Sequence, residues 1–155
     1  MLIVRGYNGR AKGAKFVHKG ILLVSDPITH VELEDTETGL SYSSEYGIGP
    51  RRVHIGYSHP ERWPEEYAIH LPLSPLSILN VLRNEDRWIA LQKAGLVGYD
   101  TRGAIGCTVT GKNHPWDQFC SETVFDVIHA ELGLSPALNY KMTPMKIIKT
   151  LKAIL

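Results

Sequence analysis

The chain has 155 residues, of which 43% are hydrophobic and 21% are charged. This length predicts one domain, residues 1–155, and the composition excludes an intrinsically disordered chain. Seventeen basic residues face sixteen acidic ones, which gives a formal net charge of +1. We expect no nucleic-acid partner, because binding through phosphate contacts usually requires a stronger basic excess.

No stretch of the sequence has the length of a targeting or membrane segment. The apolar run at residues 1–4 is shorter than the core of a signal peptide. A membrane-spanning helix needs roughly 20 apolar residues in succession, and no stretch approaches that length. We therefore expect a soluble, cytoplasmic protein with no integral membrane segment. Release by cell lysis or delivery by a phage would leave no trace in the sequence, and no pattern indicates an oligomeric state.

The first predicted elements are irregular. Gly6, Gly9 and Gly13, with the turn dipeptide Asn8-Gly9, predict that residues 1–14 form a loop-rich segment after a short apolar start. Residues 15–24 fit either a helix face or a buried strand, since periodicity does not separate the two in so short a run.

The next segment has the alternation of β-strands. Residues 30–34 and 40–43 alternate with a period of two on either side of turn residues 35–39, which predicts a β-hairpin with a loop of about five residues. Residues 51–55 and 67–71 are predicted as two more strands.

Helices are predicted from about residue 74 onward. Ser74 followed by Pro75 is typical of a helix start. Asn84 predicts the cap of a second helix that ends at Gly95. Residues 96–114 contain four glycines and are predicted as loop or irregular strand.

Two further helices are predicted near the C-terminus. Asp117 predicts the N-cap of a helix that ends at Gly133 and carries apolar residues on one face, namely Cys120, Val124, Val127 and Ile128. Thr143 and Pro144 predict the start of a last helix, whose lysines are interpreted as a solvated face. Strands followed by helices indicate the α+β class, with a small antiparallel sheet packed against helices.

The two cysteines, Cys107 and Cys120, do not form a C-x-x-C pair, so neither a disulfide framework nor a zinc ribbon is indicated. Cys120 lies in the first turn of its predicted helix, where free amides and the helix dipole favour a thiolate. It also lies on the apolar face, and a buried cysteine usually serves packing alone. Cys107, among glycines, is interpreted as a packing residue.

His30 and Glu32 lie two residues apart in a predicted strand, so their side chains point to the same face. A histidine held by a carboxylate is the general-base half of a cysteine–histidine site, although a solvated surface pair has the same pattern. Hairpin pairing would also bring Tyr42 or Ser44 near His30. The other histidines form no metal-binding motif, so neither a metal nor a cofactor is expected.

Several short motifs occur in an order that resembles a known family. These are T-H-V-E-L at 29–33, the small residues at 43–44 followed by Gly47-Ile48, Tyr99-Asp100 with Gly103, F-C-S-E at 119–122, and Thr143-Pro144. Together they resemble the permuted papain-like NlpC/P60 cysteine hydrolases, a group that includes YiiX-like proteins and phage-encoded relatives.

The resemblance implies a single papain-like domain in which the histidine precedes the cysteine because the chain is circularly permuted. It implies Cys120 as nucleophile and His30 as base. Glu32 is the favoured orienting residue and Ser44 the alternative. Residues 47–51 depart from the group's G-V-R turn, so the loop beside the cleft is expected to differ.

The function that follows is hydrolysis of amide or (thio)ester bonds, in cell-wall peptides or acyl lipids, without a cofactor. A non-catalytic binding or assembly module on the same fold is the alternative. A metal-dependent hydrolase is the third hypothesis, and it predicts loss of activity with chelators.

Overall fold

A computed structural model describes residues 1–12, 21–22, 25–57, 59–99, 119–139 and 142–155. These residues contain a five-stranded antiparallel sheet and three α-helices, which confirms the predicted α+β class. The strands are β1 (Leu2–Asn8), β2 (Ile28–Asp35), β3 (Leu40–Glu45), β4 (Gly49–His54) and β5 (Ala68–Leu71). The helices are α1 (Pro75–Lys93), α2 (Cys120–Ile128) and α3 (Pro144–Ile154).

The strand order in the sheet is β4-β3-β2-β1-β5. The predicted hairpin is confirmed as β2 and β3, in which Leu33 pairs with Tyr42. Asp35 closes its turn, because its carboxylate accepts hydrogen bonds from the Glu37 amide at 3.1 Å and the Thr38 hydroxyl at 2.8 Å. The two other predicted strands correspond to β4 and β5.

Strand β1 corrects the prediction that residues 1–14 are loop-rich. It lies between β2 and β5 and pairs with both of them. Gly6, a loop signal in the sequence, is instead a packing position in this strand. A Cβ atom there would lie 3.1 Å from side-chain atoms of Ile28 and Tyr67, so a larger residue would have to displace them by a few tenths of an ångström.

Helix α1 begins as predicted but is not interrupted. The Ser74 hydroxyl accepts a hydrogen bond from the Ser77 amide at 3.1 Å, and Pro75 is the first helical residue. The prediction of a second helix capped by Asn84 is wrong, because the helix continues through that position to Lys93. Its buried residues Val81 and Glu85 lie on either side of Asn84, and packing of that face outweighs the capping preference.

Helix α2 begins and ends at other residues than predicted. Its N-cap is Phe119, whose backbone is extended and whose side chain makes no capping bond. Asp117, the predicted cap, lies outside the described residues. The predicted end at Gly133 is wrong, because the helix ends at Ile128. His129, the next residue, stacks on Phe125.

Helix α3 begins as predicted, with the Thr143 hydroxyl accepting from the Lys146 amide at 3.2 Å. It exposes Lys146, Lys149 and Lys152, in agreement with a solvated face. None of the helices in the described ranges is long and apolar enough to cross a membrane. Most of residues 15–24, most of residues 96–114 and Cys107 lie outside the described residues, and so do the predictions that concern them.

The hydrophobic core lies between the sheet and the helices. Helix α2 packs against β2 and β3, and α3 packs against β1, β2 and α2. The core side chains include the predicted apolar face of α2 together with residues from the sheet and α3, among them Val4, Leu33, Val124, Ile128 and Ile148. This packing brings the start of α2 to the middle of the sheet.

Candidate active site

Two side chains of β2 form the centre of the site. His30 Nε2 lies 2.6 Å from Glu32 Oε1, in keeping with the shared face predicted from their spacing. A carboxylate only accepts hydrogen bonds, so the Nε2–H group is the donor. The solvated-face interpretation of this pair is wrong, because the Glu32 side chain is only 1% exposed.

An arginine from β4 holds the Glu32 carboxylate from its other side. Arg51 donates from Nη1 to Glu32 Oε2 at 3.1 Å and from Nη2 to Oε1 at 3.0 Å. Its Nε donates to Glu45 at 2.9 Å. Burial alone would raise the pKa of Glu32, but the charges of His30 and Arg51 and their hydrogen bonds outweigh it and lower that pKa. Glu32 is therefore an ionised carboxylate in a fixed orientation.

Cys120 is the first residue of α2 and a free thiol. The start of the helix is fixed by its neighbours. The Ser121 hydroxyl donates to the Met142 carbonyl, and the Thr123 hydroxyl donates to the Phe119 carbonyl at 3.0 Å. The first amides of a helix have no partner within the helix, so the Cys120 sulfur lies beside N–H groups that favour negative charge.

The structure brings Cys120 and His30 together. The charge and the side chain of Cys120 both act on His30 and favour its protonated form. Because Nε2 bonds to Glu32, Nδ1 is the ring nitrogen left for the thiol. Burial disfavours the charged imidazole, but Cys120 and Glu32 outweigh it and raise the pKa of His30 from 6.5 to about 10.

A cleft of about 410 Å³ opens beside His30. Trp63 forms one aromatic wall, with its ring edge-on to Tyr7 at 5.1 Å and to Tyr57 at 5.0 Å. Its ring centroid lies 6.4 Å from that of His30. Tyr46 and Tyr99 also line the cleft and contact each other, with ring centroids 5.6 Å apart. Cys120 is only 1% exposed and is not among the described residues that line the cleft.

The two alternative neighbours of His30 occupy different places. Ser44 is fully buried and lines the cleft together with His30 and Glu32. Tyr42 lies in the core, where burial and the charge of Glu85 raise its pKa above the usual range of a phenol. The carboxylate that the structure places on Nε2 is that of Glu32.

Two parts of the site have no signal of their own in the sequence. The first part is Arg51, the last residue of the segment 47–51, whose sequence differs from the G-V-R turn of the group that the chain resembles. Arg51 lies opposite Ser43 only because β3 pairs with β4 in this register. The aromatic wall is the other part. Tyr7 lies in the segment predicted as loop, and Trp63 lies in a proline-containing loop whose shape the sequence does not determine.

Within the described ranges, no group of three or more His, Cys, Asp or Glu side chains is arranged to hold a metal ion. Comparisons with protein-family models, curated proteins and solved structures find no match to this chain. The function is therefore argued from the residues of this site.

Proposed function

We propose that the protein is a cysteine hydrolase of amide or (thio)ester bonds, in which Cys120 is the nucleophile, His30 the base and Glu32 the orienting residue. One observation carries the proposal: His30 is hydrogen-bonded through Nε2 to a buried carboxylate, and its imidazole lies close enough to Cys120 for the two side chains to interact. A nucleophile, a base and a group that orients the base are the parts of such a site.

The electrostatics suit a thiolate nucleophile. Up to about pH 10 the imidazole of His30 is protonated, and its positive charge stabilises a negative Cys120 sulfur. The start of α2 adds the positive end of a helix dipole. Its first amides are also the candidate donors for an oxyanion, and such donors contribute about 3–4 kcal/mol each in other hydrolases.

The reaction then has two halves. The Cys120 thiolate attacks the substrate carbonyl, and His30 donates its proton to the departing amine, alcohol or thiol, which leaves a thioester on Cys120. A water molecule next loses a proton to His30 and attacks the thioester. The carboxylic acid leaves and the thiolate–imidazolium pair is restored, so no external oxidant, reductant or cofactor is consumed.

The chain order supports a permuted papain-like fold of the NlpC/P60 kind. The strand with the histidine precedes the helix with the cysteine, and the helix packs directly on the strand. Cell-wall peptides and acyl lipids are the proposed substrates. The cytoplasmic location stays a prediction, which cell fractionation tests.

Iodoacetamide labelling tests the nucleophile, with Cys107 in the same chain as an internal control. Between about pH 6 and 7 an ordinary thiol is only a few per cent thiolate, so Cys120 is expected to react roughly tenfold faster or more. Peptide mapping by mass spectrometry measures both rates. His30→Gln should remove the difference, whereas Cys107→Ala should leave the rate at Cys120 unchanged.

Activity is tested by a screen against peptidoglycan peptides and acyl esters, with Cys120→Ala as the inactive control. Hydrolysis that Cys120→Ala retains would overturn the proposal. The burial of Cys120 favours the alternative, a binding module on the same fold. That alternative predicts that Cys120 is labelled no faster than Cys107 and that no substrate is hydrolysed.

A further inference from the structure

Arg62 is a cationic residue of the cleft that the proposed mechanism does not use. Its Nε atom is buried and has no hydrogen-bond partner among the described residues. The Glu61 carboxylate lies 3.9 Å from this atom, beyond hydrogen-bond distance, and is closer to His59, at 3.3 Å. A buried donor without an acceptor costs free energy, which a bound ligand that supplies the acceptor would recover.

The backbone around Arg62 is fixed. Its carbonyl accepts a hydrogen bond from the Asn8 amide at 2.7 Å, and its own amide donates to the His59 carbonyl at 2.9 Å. The next residue is Trp63, whose ring packs against Tyr7 and Tyr57. Arg62 is thus held at the end of β1, on the side of the cleft where Trp63 faces His30.

Arg62 and Arg51 both line the cleft, but they differ in how far a carboxylate neutralises their charge. All three nitrogens of Arg51 are bonded to Glu32 or Glu45, so that cation is already neutralised. Arg62 has 36% of its side chain exposed, and its acidic partner Glu61 lies 3.9 Å away, beyond hydrogen-bond distance. A single available guanidinium matches a group with one negative charge, and its planar donors fit a carboxylate.

We propose that Arg62 binds a carboxylate of the substrate, so that the cleft takes acidic peptides. The inference rests on the proposed function, because it names the substrate class of the same cleft. The aromatic residues contact the rest of the peptide, and the carboxylate bound by Arg62 places the scissile bond relative to Cys120. The carboxylate belongs either to an acidic side chain or to a peptide C-terminus.

Peptide libraries test this proposal without requiring catalysis. Immobilised Cys120→Ala protein is equilibrated with acetylated heptapeptides that have one fixed central residue and random uncharged residues at the other positions. One library has Glu at that position with an amidated C-terminus, a second has Gln with an amidated C-terminus, and a third has Gln with a free C-terminus. Mass spectrometry measures retention. At least one carboxylate library should be retained about tenfold more than the neutral library, the effect of one charged hydrogen bond.

Variants of the same protein identify the residue responsible. Arg62→Gln should remove the preference, and Arg62→Lys should keep part of it, because a lysine retains the charge but not the planar donors. Arg87→Gln, at an exposed arginine of α1, is the matched control and should change nothing.

The outcomes separate the two proposals. Equal retention of all three libraries, no retention of any, or a preference that Arg62→Gln leaves intact overturns carboxylate recognition. Retained acidic peptides that the unmodified chain does not cleave would leave carboxylate recognition standing and contradict the hydrolase. Cleavage of neutral and acidic peptides at equal rates would support the hydrolase and contradict carboxylate recognition by Arg62.

Discussion

At the scale of single residues, the site is a row of interacting groups. Cys120 interacts with His30, and His30, Glu32, Arg51 and Glu45 are hydrogen-bonded in that order, with alternating charge. Because every buried charge has an opposite neighbour, the cost of removing it from water is offset locally. The arrangement also fixes the imidazole, since Glu32 is itself held by two nitrogens of Arg51.

The imidazole of His30 should titrate far from its usual range. Following its Cε1–H resonance by NMR should give a midpoint near pH 10 rather than near 6.5. Glu32→Gln and Cys120→Ala should each lower that midpoint, because each removes a negative charge that stabilises the imidazolium. The spectrum of His30→Gln, which lacks the resonance, supplies the assignment. A midpoint close to 6.5 in the unmodified protein would contradict the charge pair.

Replacement of Arg51 should lower the free energy of unfolding, because the Glu32 carboxylate would then be buried without its partner. Arg51→Met leaves Glu32 without its bidentate partner, and loss of one member of a buried pair costs about 3–5 kcal/mol. Urea unfolding measures the loss. Adding Glu32→Gln to Arg51→Met should restore part of the stability, since the uncompensated charge is then gone. A loss below about 1 kcal/mol in the single variant would show that Glu32 does not depend on Arg51.

At the scale of elements, the start of β4 determines where Arg51 lies. Gly49, its first residue, has φ +95°, a conformation that residues with a side chain rarely adopt. A Cβ atom there would also lie 3.1 Å from backbone atoms of Gly98, next to the cleft residue Tyr99. The turn that leads into β4 therefore lies in close contact with another part of the chain.

Two alanine substitutions separate strain from crowding at this turn. Gly49→Ala adds a disfavoured φ and a contact with a backbone that cannot give way easily, and should cost about 2–3 kcal/mol. Gly47 has φ +79°, but a Cβ atom there would have no neighbour within 4 Å in the described chain, so Gly47→Ala should cost only about 1 kcal/mol. Thermal unfolding of both variants compares them. Equal losses would mean that the contact with Gly98 is unimportant.

The parts of the site that can be predicted from the sequence depend only on residues close to each other in the chain. The period-two alternation of β2 places His30 and Glu32 on one face, and the position of Cys120 at a helix start follows from the apolar face behind it. Arg51 depends on the register between β3 and β4, which no local pattern determines. The same holds for β1, because its short apolar run and Gly6 resemble a loop until β2 and β5 are placed beside it.

At the scale of the whole molecule, a second buried ion pair attaches α1 to the sheet. Arg52 of β4 donates from Nε to Glu85 of α1 at 2.9 Å and from Nη1 to Asp86 at 2.9 Å. Burial outweighs the favourable charge of Arg52 and raises the pKa of Glu85 from 4.5 to about 7. Glu32 and Glu85, which are both buried, therefore respond to pH in opposite ways.

Glu85 should make the fold less stable as the pH rises. A carboxyl with a raised pKa holds its proton more tightly in the folded chain, so its contribution is complete below about pH 4.5 and is lost as the pH rises through about 7. The free energy of unfolding should fall by about 2–3 kcal/mol across that range. Glu85→Gln should flatten this part of the curve, and the difference between the two curves isolates Glu85 from the histidines. Identical curves would contradict the prediction.

The residues of the site lie far apart in the sequence, so the site forms only when distant parts of the chain have packed together. The base, its carboxylate and the supporting arginine lie close together on β2 and β4, whereas Cys120 belongs to a helix much later in the sequence. Cys120 and His30 thus come together only when α2 docks on the sheet. If Cys120 has the reactivity proposed above, that reactivity depends on the completed tertiary structure, and the rate of alkylation during refolding would report when α2 docks.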